Sequence, residues 1–165
     1  MNMYLVVNAA WEDPVPQMTT TPHAPTASSD QAMWNRVLTL HAHVERQLTQ
    51  VLQRKHGIGL SEFRALECLV QAADGELRMQ ELADKVGLGQ SSVTRLVGRL
   101  DTAGFAFRDL CPDDKRGVYA VITDEGRQRY AAARGTYGEI LSAALNTAGA
   151  TPELARTVQA LRSGL

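Results

Sequence analysis

Cysteine, aromatic side chains and long apolar runs are all scarce in this sequence, and each scarcity removes a class of protein. Two cysteines, Cys68 and Cys111, are too few for a disulfide framework. No stretch approaches the roughly 20 consecutive apolar residues that a membrane-spanning helix needs, so no membrane partner is expected. The first residues lack the basic start and apolar core of a secretion signal, which points to a reducing cytoplasm. A net charge of −1 supplies no global attraction to nucleic acid, so any such binding must come from a local basic surface. Catalytic signatures are missing as well. There is no phosphate loop, nucleophile elbow, Cys-x-x-Cys or His-Glu-x-x-His, and the order of Ser, His and Asp suggests no triad. Neither an enzyme nor a cofactor is expected. What remains is 165 residues, 44% of them hydrophobic and 21% charged, which is enough apolar material for one folded domain with a tail.

Four of the six prolines (Pro14, Pro16, Pro22, Pro25) lie in residues 1–30, with a Thr/Ser-rich tract and no Lys or Arg. That stretch reads as a flexible N-terminal tail. From Met33 the pattern turns helical: Met33, Val37, Leu40, Val44, Leu48 and Val51 draw one apolar stripe along a helix that ends near His56-Gly57. Ser61 is placed to cap a second helix, whose buried face is Phe63, Leu66, Leu69 and Val70 and which runs to about Ala73. Two short amphipathic helices follow between Arg78 and Leu100, separated only by Gly87-Leu88-Gly89. This is helix-turn-helix punctuation. Phe105 to Leu110 and Gly117 to Thr123 read as strands joined by the charged loop Cys111 to Arg116. Thr123 caps a third long helix carrying Tyr130, Ala133, Tyr137, Ile140, Leu141 and Ala144, and Thr151 with Pro152 opens a last one with Leu154, Val158 and Leu161. The fold class expected is mainly α with a small β-hairpin wing, a winged helix-turn-helix.

In such a fold the second helix of the helix-turn-helix fits the major groove of double-stranded DNA, while the wing reaches along the backbone or into the minor groove. The residue types suit that task. Gln90, Ser91, Ser92, Thr94, Arg95 and Arg99 lie on the polar face of the second helix. Arginine can give guanine O6 and N7 two parallel donors, and hydroxyls near a helix start can bond phosphate or a base edge. At the wing tip Lys115 and Arg116 are the expected DNA contacts, and Asp114 is a support that orients Arg116 or braces the hairpin by an ion pair. The rival reading is a winged helix that binds protein, but such a surface would favour aromatic anchors over Ser, Thr and Arg.

From Ser92 to Gly126 the run SVTRLVGRLDTAGFAFRDLCPDDKRGVYAVITDEG resembles the signature region of the MarR family of bacterial transcription regulators. The resemblance rests on Ser92 and Arg95, Leu100, Gly104-Phe105 before the wing, Asp114-Lys115-Arg116 at its tip, and Thr123 with Gly126 at the return. Two departures are Asp101, where the family usually has an apolar residue or glutamate, and Ala106, where a larger aliphatic is common. The resemblance covers Met33 to Leu165. It implies a winged-helix domain over 31–165, with a DNA-binding lobe at about 60–123 and dimerisation helices at about 33–56 and 124–165. It also implies a homodimer on a pseudo-palindromic operator, with half-sites roughly 10 base pairs apart. A repressor released by a small-molecule effector is the expected role.

Three kinds of signal can be weighed. The peroxide-sensing branch of the family keeps a reactive cysteine near the start of helix one, where this chain has none. A thiol switch would otherwise fall to Cys68, a packing position in helix two, or to Cys111, whose neighbours Asp109, Asp113 and Asp114 would raise its pKa. Metal sensing is unfavoured, because His41 and His43 point about 200° apart on a helix and only His41 with Glu45 could share an ion. The zinc-sensing relatives draw histidines from the long helix after the wing, and His23, His41, His43 and His56 all precede helix two. A small-molecule pocket between dimer helices and DNA-binding lobe is the favoured sensor, with Trp34, His41 and Phe63 as candidate walls.

Overall fold

The computed structural model describes residues 27–110 and 117–164. Its elements are α1 (Ala27–His56), α2 (Leu60–Gln71), β1 (Glu76–Arg78), α3 (Met79–Val86), α4 (Gln90–Thr102), β2 (Ala106–Leu110), β3 (Val118–Ile122), α5 (Asp124–Gly149) and α6 (Ala155–Ser163). Helices dominate, and the strands form one antiparallel sheet in the order β1-β3-β2, so the expected winged helix-turn-helix is present. β2 and β3 pair from Ala106 opposite Ile122 to Leu110 opposite Val118.

α1 starts six residues before Met33, so residues 27–30 of the expected tail are its first turn. Asp30 in that turn, and Arg54, Lys55 and His56 in the last, suit the positive and negative ends of the helix dipole. α2 starts two residues earlier than a Ser61 cap would have it. Gly59 holds the cap position instead, and its N–H donates to Glu62 Oε2 at 2.7 Å. β1 has no counterpart among the expected strands; its Leu77 sits opposite Ala120 and is buried.

Thr123 caps α5 as expected, its hydroxyl accepting the Gly126 N–H at 3.0 Å while donating to the Gly104 carbonyl at 2.7 Å. The two contacts fasten the wing's return to its outgoing turn. Gly126 is needed there, because a Cβ would run into the Phe105 carbonyl oxygen. The Thr151 cap is a correction: its hydroxyl donates back to the Ala148 carbonyl at 2.8 Å, closing α5 rather than opening α6, and α6 proper begins at Ala155.

The main core gathers Leu52, Phe63, Leu66, Leu82, Leu96 and Val97, all completely buried, between α1, α2, the helix-turn-helix and α5. Phe63 is stacked on Tyr137 with ring centroids 4.4 Å apart and tilted against Tyr130 at 5.3 Å. A smaller cluster of Leu40, Ala148, Leu154 and Val158 joins α1 to the far end of α5 and to α6.

Candidate nucleic-acid interface

The turn before α4 is set by Gly87, whose φ of 69° lies in the left-handed region, and by the Leu88 N–H donating to the Ala83 carbonyl at 2.9 Å. Gly89 then precedes α4, its carbonyl accepting from Ser92 and Val93 at 2.9 and 3.0 Å. Val93, Leu96, Val97 and Leu100 are fully buried, which fixes the rotation of the helix about its axis. At about 100° per residue, the direction opposite that stripe runs through Ser91, Arg95, Gly98 and Thr102. Ser92 and Arg99 fall on one flank, Thr94 and Gln90 on the other.

Tertiary contacts agree with this phase. On the first flank Arg99 Nε donates to Glu62 Oε1 of α2 at 2.8 Å, and the other oxygen of the same carboxylate holds the Gly59 N–H. On the second flank Gln90 lines a small cleft with Arg78, Met79 and Gln80 at the start of α3 and with Gly117 and Val118 at the base of the wing. Arg95, at the centre, is exposed and has no hydrogen-bond or ion-pair partner among the described residues. Ser91 and Ser92 are exposed beside it at the helix start, and Thr94 is half-buried, its hydroxyl donating to the Gln90 carbonyl at 2.8 Å.

Three features of the site escaped the sequence reading. Glu62 lies 37 positions from Arg99, and no local pattern links them. Gly98 and Thr102 share the outer face with Arg95, which the helical phase would have shown; Thr102 Oγ1 donates to the Gly98 carbonyl at 2.9 Å. On the wing, Arg108 of β2 is exposed, and beyond the core the same face of the sheet carries Leu110 of β2 and Val118 of β3 into solvent. Asp114, Lys115 and Arg116 lie outside the described residues, as do Cys111 and His23.

The candidate sensor walls are not brought together. Phe63 is a core residue, whereas Trp34 is 57% exposed on α1 and His41 lies toward solvent two turns further on. His41 Nε2 is 3.3 Å from Glu45 Oε1, the same oxygen that accepts from Arg64 at 2.8 Å. His43 bonds Gln47 at 3.0 Å. No three His, Cys, Asp or Glu residues are gathered as metal ligands among the described residues. Cys68 borders an open cleft of about 530 Å³ with Arg78, Glu81, Lys85 and Tyr119. Burial pushes its thiol pKa up, the Glu67 carboxylate adds to that, and Lys85 offsets part of it.

Comparison with known proteins places these observations among regulators. A family model described as the MarR family matches residues 56–117. The HTH-type transcriptional repressor YetL of Bacillus subtilis (strain 168) is 32% identical over 113 residues, which cover 66% of this chain and 67% of YetL. The HTH-type transcriptional regulator MhqR of the same organism is 36% identical over 72 residues, 44% of this chain and 48% of MhqR. YkoM, another HTH-type regulator of that organism, is 35% identical over 75 residues, 46% of this chain and 47% of YkoM. The chain thus spans about half the length of MhqR and YkoM. Among solved structures, Sco3205, a MarR family transcriptional regulator from Streptomyces coelicolor in complex with DNA, has a TM-score of 0.69 at 28% identity over 88% of this chain and 89% of Sco3205. AbsC, a MarR family regulator from the same species, has a TM-score of 0.67 at 22% identity over 86% of this chain and 94% of AbsC, a likeness of fold.

Proposed function

We propose that this chain, which belongs to the MarR family of transcription regulators, is a sequence-specific DNA-binding repressor that acts in the cytoplasm as a homodimer and catalyses no reaction. The observation that carries the reading is the outer face of α4: Arg95 stands exposed and unpartnered among the described residues, flanked by the Ser91 and Ser92 hydroxyls at the helix start. A guanidinium so placed can meet guanine O6 and N7 in a major groove. The wing residues Lys115 and Arg116 are assigned to the backbone or minor groove, and Asp114 to orienting Arg116 or bracing the hairpin.

A dimer is supported by the apolar side chains that one chain leaves in solvent. Met33, Trp34 and Leu38 on α1 and Leu161 on α6 are each 46–57% exposed, on helices outside the DNA-binding lobe. Burying them on a two-fold partner would set two copies of α4 about one DNA turn apart, which calls for a pseudo-palindromic operator. Release by a small-molecule effector is the regulation assigned.

The test is titration of the protein against its own upstream intergenic DNA and a scrambled duplex, at two salt concentrations, with the Arg95→Ala variant alongside. Preferential binding to the intergenic DNA, weakened in the variant by about 1–3 kcal/mol with loss of preference, is expected. Equal losses on both duplexes would remove Arg95 from base reading.

A further inference from the structure

We propose that Gly98 is a specificity-determining position of α4: it leaves a methyl-sized notch on the reading face, between Arg95 and Thr102, that receives the 5-methyl group of an operator thymine. The inference rests on the reading that α4 enters the major groove.

Glycine is an unfavourable residue in the middle of a helix, because it has the most backbone freedom to lose. Gly75, Gly87 and Gly104 take φ of 73°, 69° and 74°, Gly89 holds the N-cap of α4, where glycine is tolerated, and Gly126 at the wing's return faces a carbonyl that leaves no room for a side chain. Gly98 has none of these reasons: it lies inside α4 without a positive φ, and a Cβ there would meet nothing within 4 Å. Folding alone would therefore favour alanine.

The empty space is on the outward face. Gly98 is three residues after Arg95 and four before Thr102, so all three lie on one side of the helix, away from the buried stripe. The hydroxyl of Thr102 donates to the Gly98 carbonyl at 2.9 Å, which ties that side chain along the helix one turn beyond Gly98. In the major groove the thymine methyl is the apolar projection among donors and acceptors, so it is the group of DNA whose size and polarity suit a bare Cα surface. Seating it would bring the helix backbone close to the groove floor while Arg95 reads a neighbouring base pair.

The experiment is a chemical exchange of one methyl for another. Operator duplexes are selected from a random pool with the full-length wild-type chain, and each thymine of a half-site, with its symmetry mate, is then replaced by deoxyuridine. Gly98→Ala is expected to melt about 2–4 °C higher, as alanine suits a helix better. It should bind the thymine operator on the order of tenfold more weakly. At one position deoxyuridine should bring the variant back to within about threefold of wild type on thymine, while weakening wild type itself. Unchanged binding by Gly98→Ala, with Arg95 still required, overturns the notch and leaves the DNA reading standing. A loss that no deoxyuridine position restores also overturns it. If wild type selects no duplex, both readings fall together.

Discussion

Glu62 supports two elements at once, and its removal should separate the two arginines of α4 into different kinds of residue. One carboxylate oxygen accepts the Gly59 N–H at 2.7 Å and the other accepts Arg99 Nε at 2.8 Å. Glu62 is 20% exposed and Arg99 57%, so solvent screens their attraction, and such a pair contributes about 0.5–1 kcal/mol. Satisfying an orphan N–H at the start of α2 contributes about another 0.5–1 kcal/mol. Glu62→Ala should therefore cost about 1–2 kcal/mol, Arg99→Ala about 0.5–1 kcal/mol, and the double mutant less than the sum by about 0.5–1 kcal/mol. Arg95→Ala, with no partner among the described residues to lose, should stay within about 0.5 kcal/mol of wild type. Urea unfolding at one fixed protein concentration measures all four variants, since dimerisation makes stability depend on concentration. If Arg95→Ala destabilises as much as Arg99→Ala, or Glu62→Ala and Arg99→Ala add without coupling, Arg99 is not held by Glu62.

The Cys68 thiol, pushed above its ordinary value of 9.0 chiefly by burial, should alkylate with iodoacetamide at pH 8 at least about tenfold more slowly in the folded protein than in urea, measured in a Cys111→Ser background. Equal rates would contradict the shift. Because the folded state holds that proton more tightly, its contribution is fully present below the unfolded pKa and is lost as pH rises from about 9, a decline that Cys68→Ala should flatten. Gly126→Ala forces a Cβ against the Phe105 carbonyl and should lower stability by about 1–3 kcal/mol; an unchanged melting temperature would mean the wing's return is looser than the structure has it. Phe63→Ala empties the space between Tyr130 and Tyr137 and should cost about 3–5 kcal/mol in urea unfolding, and a cost under about 1 kcal/mol would place Phe63 outside the core.

Long periodic segments were the legible part of the fold. The stripes of α1, α3 and α4 and the Thr123 cap could be read from spacing alone, because each is determined by residues within a few turns. β1 could not, since three residues are too few to show alternation and its partner β3 lies some forty positions away. The two displaced caps share a cause. A side chain that can cap the following helix can also bond elsewhere: Thr151 turns back to the end of α5, while Glu62, three residues past Gly59, accepts the Gly59 N–H and sets the start of α2 before Ser61. Sequence shows that a helix boundary is near but not which donor reaches which acceptor.

At the interface, residue type was legible and role was not. Arg95 and Arg99 stand one turn apart on the same polar face, and composition gives both the same chemistry. Their phases differ by about 40°, which is enough to turn one outward and bring the other against α2. The distinction depends on Glu62, whose position relative to α4 is set by the packing of Phe63 and Leu66 against Leu96 and Val97 in the core. It changes the electrostatics of the proposed reading face. With Arg99 balanced by a carboxylate, Arg95 is the cation that α4 offers the groove uncompensated among the described residues, in a protein whose net charge is −1. Phosphate attraction would then depend on cations outside α4, among them Arg108 and, on the proposed reading, Lys115 and Arg116 of the wing, leaving α4 to discriminate among sequences.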